Sequence, residues 1–396
     1  MFIAKNFVTK NFAILYIVGV MVKKNPFKFG SVVEGAFFTN RTREIAQVTS
    51  ILNSENHLIL IGPRRFGKTS LVFKVTKSIG RPVIHLNAQM LTSSSDFARQ
   101  LINGIFKNYT YQKIKHWFKD FRIIPTVLIN PKNGETEISF STGKKEEESM
   151  ATVEDALNLL ERVSTSSKKI IVVIDEFQDM LRLDDGLDKV MRSVMQHHTL
   201  VNYVFFGSQE SMMKEIFENK KSTFYHFGQM MYLDKIPERE FRTFLEKRFR
   251  EITPSSKEYA SLILRFTDSH PYYTQQLSWM VWDTIQNETD QSPQEVMDST
   301  IKQIVRMHDM DYDRLWYAYN LTDRKVLTGI SLNVGSPLSL NFIVRYDLTA
   351  TSTVNSSLSR LSESGIVIKT RLGWQIDDPF FKEWILWKRE GSVLGR

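Results

Sequence analysis

GPRRFGKT, running from Gly62 to Thr69, decides how this chain is read. It satisfies G-x-x-x-x-G-K-[ST], and its setting matters as much as its letters. Upstream lies HLILIG (His57 to Gly62), an apolar run of strand length, and downstream the spacing predicts a helix over Ser70 to Ser78. A strand feeding a glycine loop that opens a helix is the context of a phosphate-binding P-loop. The glycines let the backbone bend until its N–H groups face inward, where they and the helix N-terminus meet phosphate oxygens. Gly62, Pro63, Arg64, Arg65, Phe66, Gly67, Lys68, Thr69 and Ser70 are the expected cradle. Lys68 is expected on the β- and γ-phosphates of ATP, and the Thr69 hydroxyl on Mg²⁺. Arg64 and Arg65 either touch phosphate or a nearby acid, or form an exposed pair.

Outward from the loop, short apolar runs alternate with helical patterns between about Phe27 and Leu233. They are PVIHLNA (Pro82 to Ala88), KIIVVID (Lys169 to Asp175), NYVFFGS (Asn202 to Ser208) and MMYLDKI (Met230 to Ile236). Continuous apolar runs suit strands buried on both faces, so the fold class is α/β with a parallel sheet. Between the second and third strands, Asn133-Gly134 reads as a hairpin turn, and the KKEEE run before Ser149 as a solvated loop.

KIIVVIDEFQDM ends an apolar strand in two acids. A carboxylate at the tip of a strand beside the P-loop strand can hold Mg²⁺ through water, which is the expected role of Asp175. Glu176, next to it, is expected to take the proton of the attacking water. Ser208, in FFGSQES, either hydrogen-bonds the γ-phosphate or lytic water, or caps the following helix. In RFTDSHPYYTQQL, His270 and Pro271 either begin a helix or contact the adenine.

From Pro237 to about His308 strand signals vanish and apolar spacing is helical, predicting an all-helical lid. YNLTDRKVLTGIS, SLNFIVRYD and TSTVNSSLSRLSESG then read as three helices, with Gly365 closing the third. IVIKTRLGWQID alternates like two strands around Leu372-Gly373. That order is a winged helix. The expected domains are an extension over 1–24, a P-loop ATPase core over 25–236, a helical lid over 237–310 and a winged helix over 311–390.

Composition narrows the class further. With 42% hydrophobic and 24% charged residues the balance is that of a globular protein, and the lack of cysteine excludes disulfides and thiolate chemistry. The eight histidines form no ligand-spaced cluster. Of the formal charge of +8, Lys5, Lys10, Lys23, Lys24 and Lys28 supply five before the first acid, Glu34. The +3 left over the rest is a weak field for tight nucleic-acid binding. Phe12 to Val22 is eleven apolar residues, short of the ~20 a spanning helix needs. Initiation at Met21, a packed or disordered extension, and a membrane anchor are the readings of that stretch. No stable membrane insertion is expected, and the chain reads as cytoplasmic.

On these residues the chain resembles the archaeal-type ATPase family, of the STAND branch of AAA+-like P-loop NTPases. The likeness runs from NPFKFG (Asn25 to Gly30) to the winged helix, about nine tenths of the chain, through FFTNRTREI, GPRRFGKTSL, VVIDEFQDM, FFGSQESMM and SHPYYTQQL. It implies a five-stranded sheet and adenine-side contacts from Phe38, Asn40 and Arg41. It also implies that Ser208 acts as a sensor and that the His270-Pro271 helix closes over the nucleotide. One departure stands out: Ser211 to Leu233, where such relatives carry an arginine finger, contains no arginine. A finger is worth ~10³ or more in rate, so slow turnover is expected. Three functions compete: a nucleotide-controlled switch acting on a protein partner or on a second copy, a DNA-handling ATPase using its winged helix, and an interaction module with structural ATP. Glu176 argues against the third.

Overall fold

A computed structural model of the chain describes residues 23–122, 126–129, 136–139, 146–287, 291–332, 335–370 and 373–390. The expected extension up to residue 22 and the Asn133-Gly134 turn lie outside the described residues, as do Arg371 and Leu372 of the wing turn. The described residues divide into two compact units, one within 41–235 and 320–377, the other within 23–40, 236–319 and 378–390.

The first unit is built on a parallel sheet. In chain order the strands are β1 (Leu58–Ile61), β2 (Val83–Asn87), β3 (Thr126–Ile129), β4 (Thr136–Ser139), β5 (Ile170–Asp175), β6 (Val201–Gly207) and β7 (Gln229–Tyr232). β3 and β4 pair antiparallel as a separate hairpin, while the sheet runs β2-β5-β6-β1-β7 with every neighbouring pair parallel. β1 and β6 are buried along their whole length, since helices such as Ser94–Asn108 and Glu146–Val163 cover the sheet. Two features of the fold depart from expectation. β6 separates the Asp175 strand from the P-loop strand, so the two are not adjacent. Glu146 to Glu148 of the KKEEE run open a helix instead of lying in a loop, which suits acids at a helix N-terminus.

The register sets the site. Ile61 pairs with Gly207 and Asp175 with Phe206, so the carboxyl ends of β1, β5 and β6 stop at one level. The residues that follow, Gly62, Glu176 and Ser208, share that edge. Ligands of open parallel sheets bind at such an edge.

Residues 320–377 form three helices, Leu321–Ser331, Leu340–Arg345 and Thr351–Glu363, then the antiparallel pair β8 (Val367–Thr370) and β9 (Gly373–Ile376). Gly365 takes the left-handed conformation (φ 73°) expected of a residue just past a helix end. Gly373 belongs to β9, paired with Thr370, and not to the turn the sequence suggested.

The second unit is helical: Glu238–Phe249, Ser256–Thr267, Pro271–Asn287, Pro293–Met307, Asp309–Ala318 and Pro379–Glu390. Ser292 and Glu295 form a capping box at the fourth helix. Phe27 is buried among Phe244, Phe249 and Trp282, and the Asn25 amide donates to Trp279 and Asp283. Residues 25–40, expected in the ATPase core, therefore pack with the helices. So does the last helix, through Phe380 on Phe266 and the Trp384 indole on Asp309. Among the described residues no helix is long and apolar enough to cross a membrane.

Candidate nucleotide site

β1 delivers the chain to Gly62. A Cβ there would lie 2.8 Å from the Leu233 carbonyl oxygen, so the first glycine of the motif is demanded by the neighbouring chain after β7. Two residues of the loop turn left-handed, Arg65 (φ 64°) and Gly67 (φ 91°). Phe66 is buried and anchors the loop, and its carbonyl accepts from Arg41 Nη2 at 3.0 Å. Arg41 is itself 4% exposed and pairs with Glu44 at 2.9 Å. The resemblance pointed to Arg41 as a nucleotide contact, but its guanidinium braces the loop from within the fold. Pro63 is half-buried, Ser70 is buried in the first helical turn, and the Arg64 and Arg65 side chains are exposed.

Lys68 opens the Lys68–Ile79 helix one residue after the second glycine, two positions earlier than the spacing suggested. Its ammonium donates to the Gly62 and Pro63 carbonyls at 2.6 and 2.8 Å. Burial pushes that ammonium down to about 8, against the opposing pull of Glu176, Asp175 and Glu210. A desolvated cation inside a ring of backbone dipoles is a strong anion receptor.

Across from it, the Thr69 hydroxyl and Asp175 Oδ2 stand 3.5 Å apart. Burial and the adjacent Glu176 charge push the Asp175 carboxyl up to about 6. A buried carboxylate with a like charge beside it favours a cation. Mg²⁺ takes hard oxygens, with one or two from protein and the rest from phosphate and water, and this pair fits that donor set.

Glu176 adopts left-handed backbone (φ 52°, ψ 48°), which turns its side chain across the strand tips toward β6. Its Oε2 accepts from the Ser208 N–H and Ser208 hydroxyl, each at 2.9 Å, and from Gln178 Nε2 at 2.7 Å. Burial pushes the carboxyl up, but these bonds and the Lys68 charge outweigh it and the net shift is downward. Ser208 is not a helix cap: the helix Glu210–Glu218 is preceded by Gln209, with no side-chain cap. Lys68, Thr69, Asp175, Glu176 and Ser208 thus meet at one sheet edge.

The remaining candidates belong to the helical unit. His270 is buried and its Nδ1 accepts from the Tyr272 and Tyr273 backbone N–H groups, so it caps the helix that Pro271 begins. Asn40 donates to Glu240 at 2.7 Å, and Phe38 is half-buried. The sequence reading overlooked Gln178 and the bracing role of Arg41. The only signal for Gln178 was its place two residues after Glu176.

A five-stranded parallel sheet with a P-loop after β1 and paired acids after β5 defines a nucleotide-binding P-loop ATPase fold, here carrying a winged helix. Residues 38–277 match the family described as an ATPase domain predominantly from Archaea, and the chain belongs to it. Residues 310–387 match a probable winged helix domain. Among solved structures the chain is similar to a Walker-type ATPase of Pyrococcus abyssi, at 15% identity and a TM-score of 0.63, covering 91% of this chain and 99% of that one. It is also similar to the ORC2 protein of Aeropyrum pernix in ADPNP-ADP complexes, at 13% identity and a TM-score of 0.52, covering 92% and 100%. At such identities the likeness is one of fold. No curated protein matches the chain.

Proposed function

We propose that this protein binds ATP with Mg²⁺ and hydrolyses it slowly, as a STAND-type switch whose nucleotide state a partner reads. The observation that carries this is the convergence of Lys68, the Thr69–Asp175 pair and Glu176 on one edge of the sheet. Lys68 holds the β- and γ-phosphates, and Thr69 with Asp175 holds Mg²⁺, which neutralises charge on the phosphates. With Glu176 Oε2 taken up by Ser208 and Gln178, Oε1 is the oxygen left to receive a proton from water. The water oxygen bonds the γ-phosphorus, and the bond from that phosphorus to the bridging oxygen breaks, its electron pair leaving on ADP. The proton passes to Glu176 and then to solvent, and phosphate is released.

Slow turnover follows from the segment 211–233, which has no arginine to meet charge developing on the γ-phosphoryl group. A protein partner or a second copy supplying one, for instance Arg248 or Arg250, would accelerate it. Against DNA as the partner stands the helix Thr351–Glu363. Its one cation, Arg360, pairs at 2.7 Å with the buried Asp323, and its exposed Ser352, Asn355, Ser356 and Ser359 are neutral.

Glu176→Gln tests the proposal. The variant should bind ATP with unchanged affinity while single-turnover hydrolysis falls by about 10² or more. Hydrolysis at the wild-type rate would remove Glu176 from the role of base.

A further inference from the structure

We propose that Gln178 is a positioning residue for Glu176: seated against Gly207, its amide holds one carboxylate oxygen and leaves the other facing the water. The inference rests on Glu176 being the base.

Gln178 lies in the 3₁₀ turn Phe177–Arg182 that follows β5, and it is 0% exposed. A left-handed residue at a strand tip has little neighbouring backbone to fix its side chain, so Glu176 depends on outside donors. Ser208 provides two from β6, and Gln178 a third from the turn. The direction of the Gln178 amide is settled by chemistry. Turned over, it would set its carbonyl oxygen against a carboxylate oxygen, so Nε2 faces Glu176.

That orientation carries a cost. Gln178 Oε1 is buried and has no hydrogen-bond partner among the described residues. An unpaired buried amide oxygen is unfavourable, and an apolar side chain of the same length would avoid it. The amide is explained by what its other end does.

Gly207 makes the seat. A Cβ at that position would lie 2.2 Å from Gln178 Oε1 and 2.8 Å from Met213 Sδ. Its φ is not in the left-handed region, so space and not backbone freedom requires glycine here. Gly207 and Gln178 act as one device, at the end of β6 and just past the end of β5.

The test uses Gln178→Met, close in length but without a donor, on the full chain. ATP affinity and melting temperature should stay near wild type while single-turnover hydrolysis falls about ten-fold or more. Glu176→Gln with Gln178→Met should be no slower than Glu176→Gln alone, because the amide acts only through that carboxylate. Gly207→Ala should reproduce the kinetic loss by pushing Gln178 out of its seat, without removing any hydrogen-bonding group. A wild-type rate in Gln178→Met beside a dead Glu176→Gln would overturn this inference and leave the base assignment intact. A wild-type rate in Glu176→Gln would sink the base assignment itself. Loss of ATP binding in Gln178→Met, or a further loss in the double variant, would show a structural role and also overturn it.

Discussion

Polar groups gather at both ends of the central sheet and are used there in opposite ways. At the amino end, Arg81 donates to the carbonyls of Leu52, Lys169 and Ile170 and to Asn202 Oδ1, and the Asn202 amide donates to the carbonyls of Ser54 and Asn56. Those bonds tie together the starts of β5 and β6 and the residues before β1. At the carboxyl end, Lys68 sits desolvated, Asp175 and Glu176 crowd like charges, and Glu176 takes a backbone conformation that side chains disfavour. At the amino end Arg81 and Asn202 find their partners inside the fold. The carboxyl end holds its groups at the edge where ligands of such sheets bind.

Lys68→Ala breaks the carboxyl end hardest. It removes the cation aimed at the β- and γ-phosphates, so ATP affinity should fall by about 10² or more. Melting temperature should stay close to wild type, since among the described residues the hydrogen bonds of the ammonium go to its own loop carbonyls. Calorimetry showing ATP bound as tightly as by wild type would dismiss the site.

Asn202→Ala should do the reverse. It strips a partner from the Arg81 guanidinium and two carbonyls of their donor, for a loss of about 2–3 kcal/mol of stability. Below its lowered melting point the variant should bind ATP normally. If denaturant unfolding instead shows full stability with weakened ATP binding, the division of labour between the two ends is wrong.

The two ends also differ in how far the sequence discloses them. The carboxyl end is written in contiguous letters, because a phosphate cradle needs a tight loop and a helix start, and GPRRFGKT supplies both. The strand runs were equally plain, since burial on both faces leaves unbroken apolar stretches such as IIVVI. The amino end is assembled from Arg81, Asn202 and His57, far apart in sequence and in no motif, and only the register of the strands brings them together. Arg41 shows the same limit. The family resemblance implied a nucleotide contact for it, whereas the path of the chain buries its guanidinium against the Phe66 carbonyl. Strand order was hidden too, for nothing local says that β6 comes between β1 and β5. Gln178 was visible as a letter, but its purpose depends on Gly207 across the sheet.

The smallest expected effect concerns acid. His57 and His198 are both buried at the amino end, where His57 Nδ1 accepts from the Tyr203 N–H and His198 Nδ1 meets the Tyr203 hydroxyl at 2.8 Å. Burial pushes each down to about 4 from an ordinary 6.5. Charge on His198 and Arg192 pushes His57 further the same way, and Glu161 resists for His198, whose other charged neighbour is His197. In the unfolded chain both take up protons near pH 6.5, while in the fold they stay neutral until about pH 4. Stability from this pair is therefore complete above pH 6.5 and declines as pH falls from there toward 4. Between pH 6.5 and 5 the loss should be at most about 2 kcal/mol per histidine. His57→Phe keeps an aromatic ring beside Phe227 and removes one titration, so urea unfolding at pH 7, 6 and 5 should show a shallower decline in that variant. An unchanged slope would mean that the acid sensitivity of the fold lies elsewhere than in the histidines at its amino end.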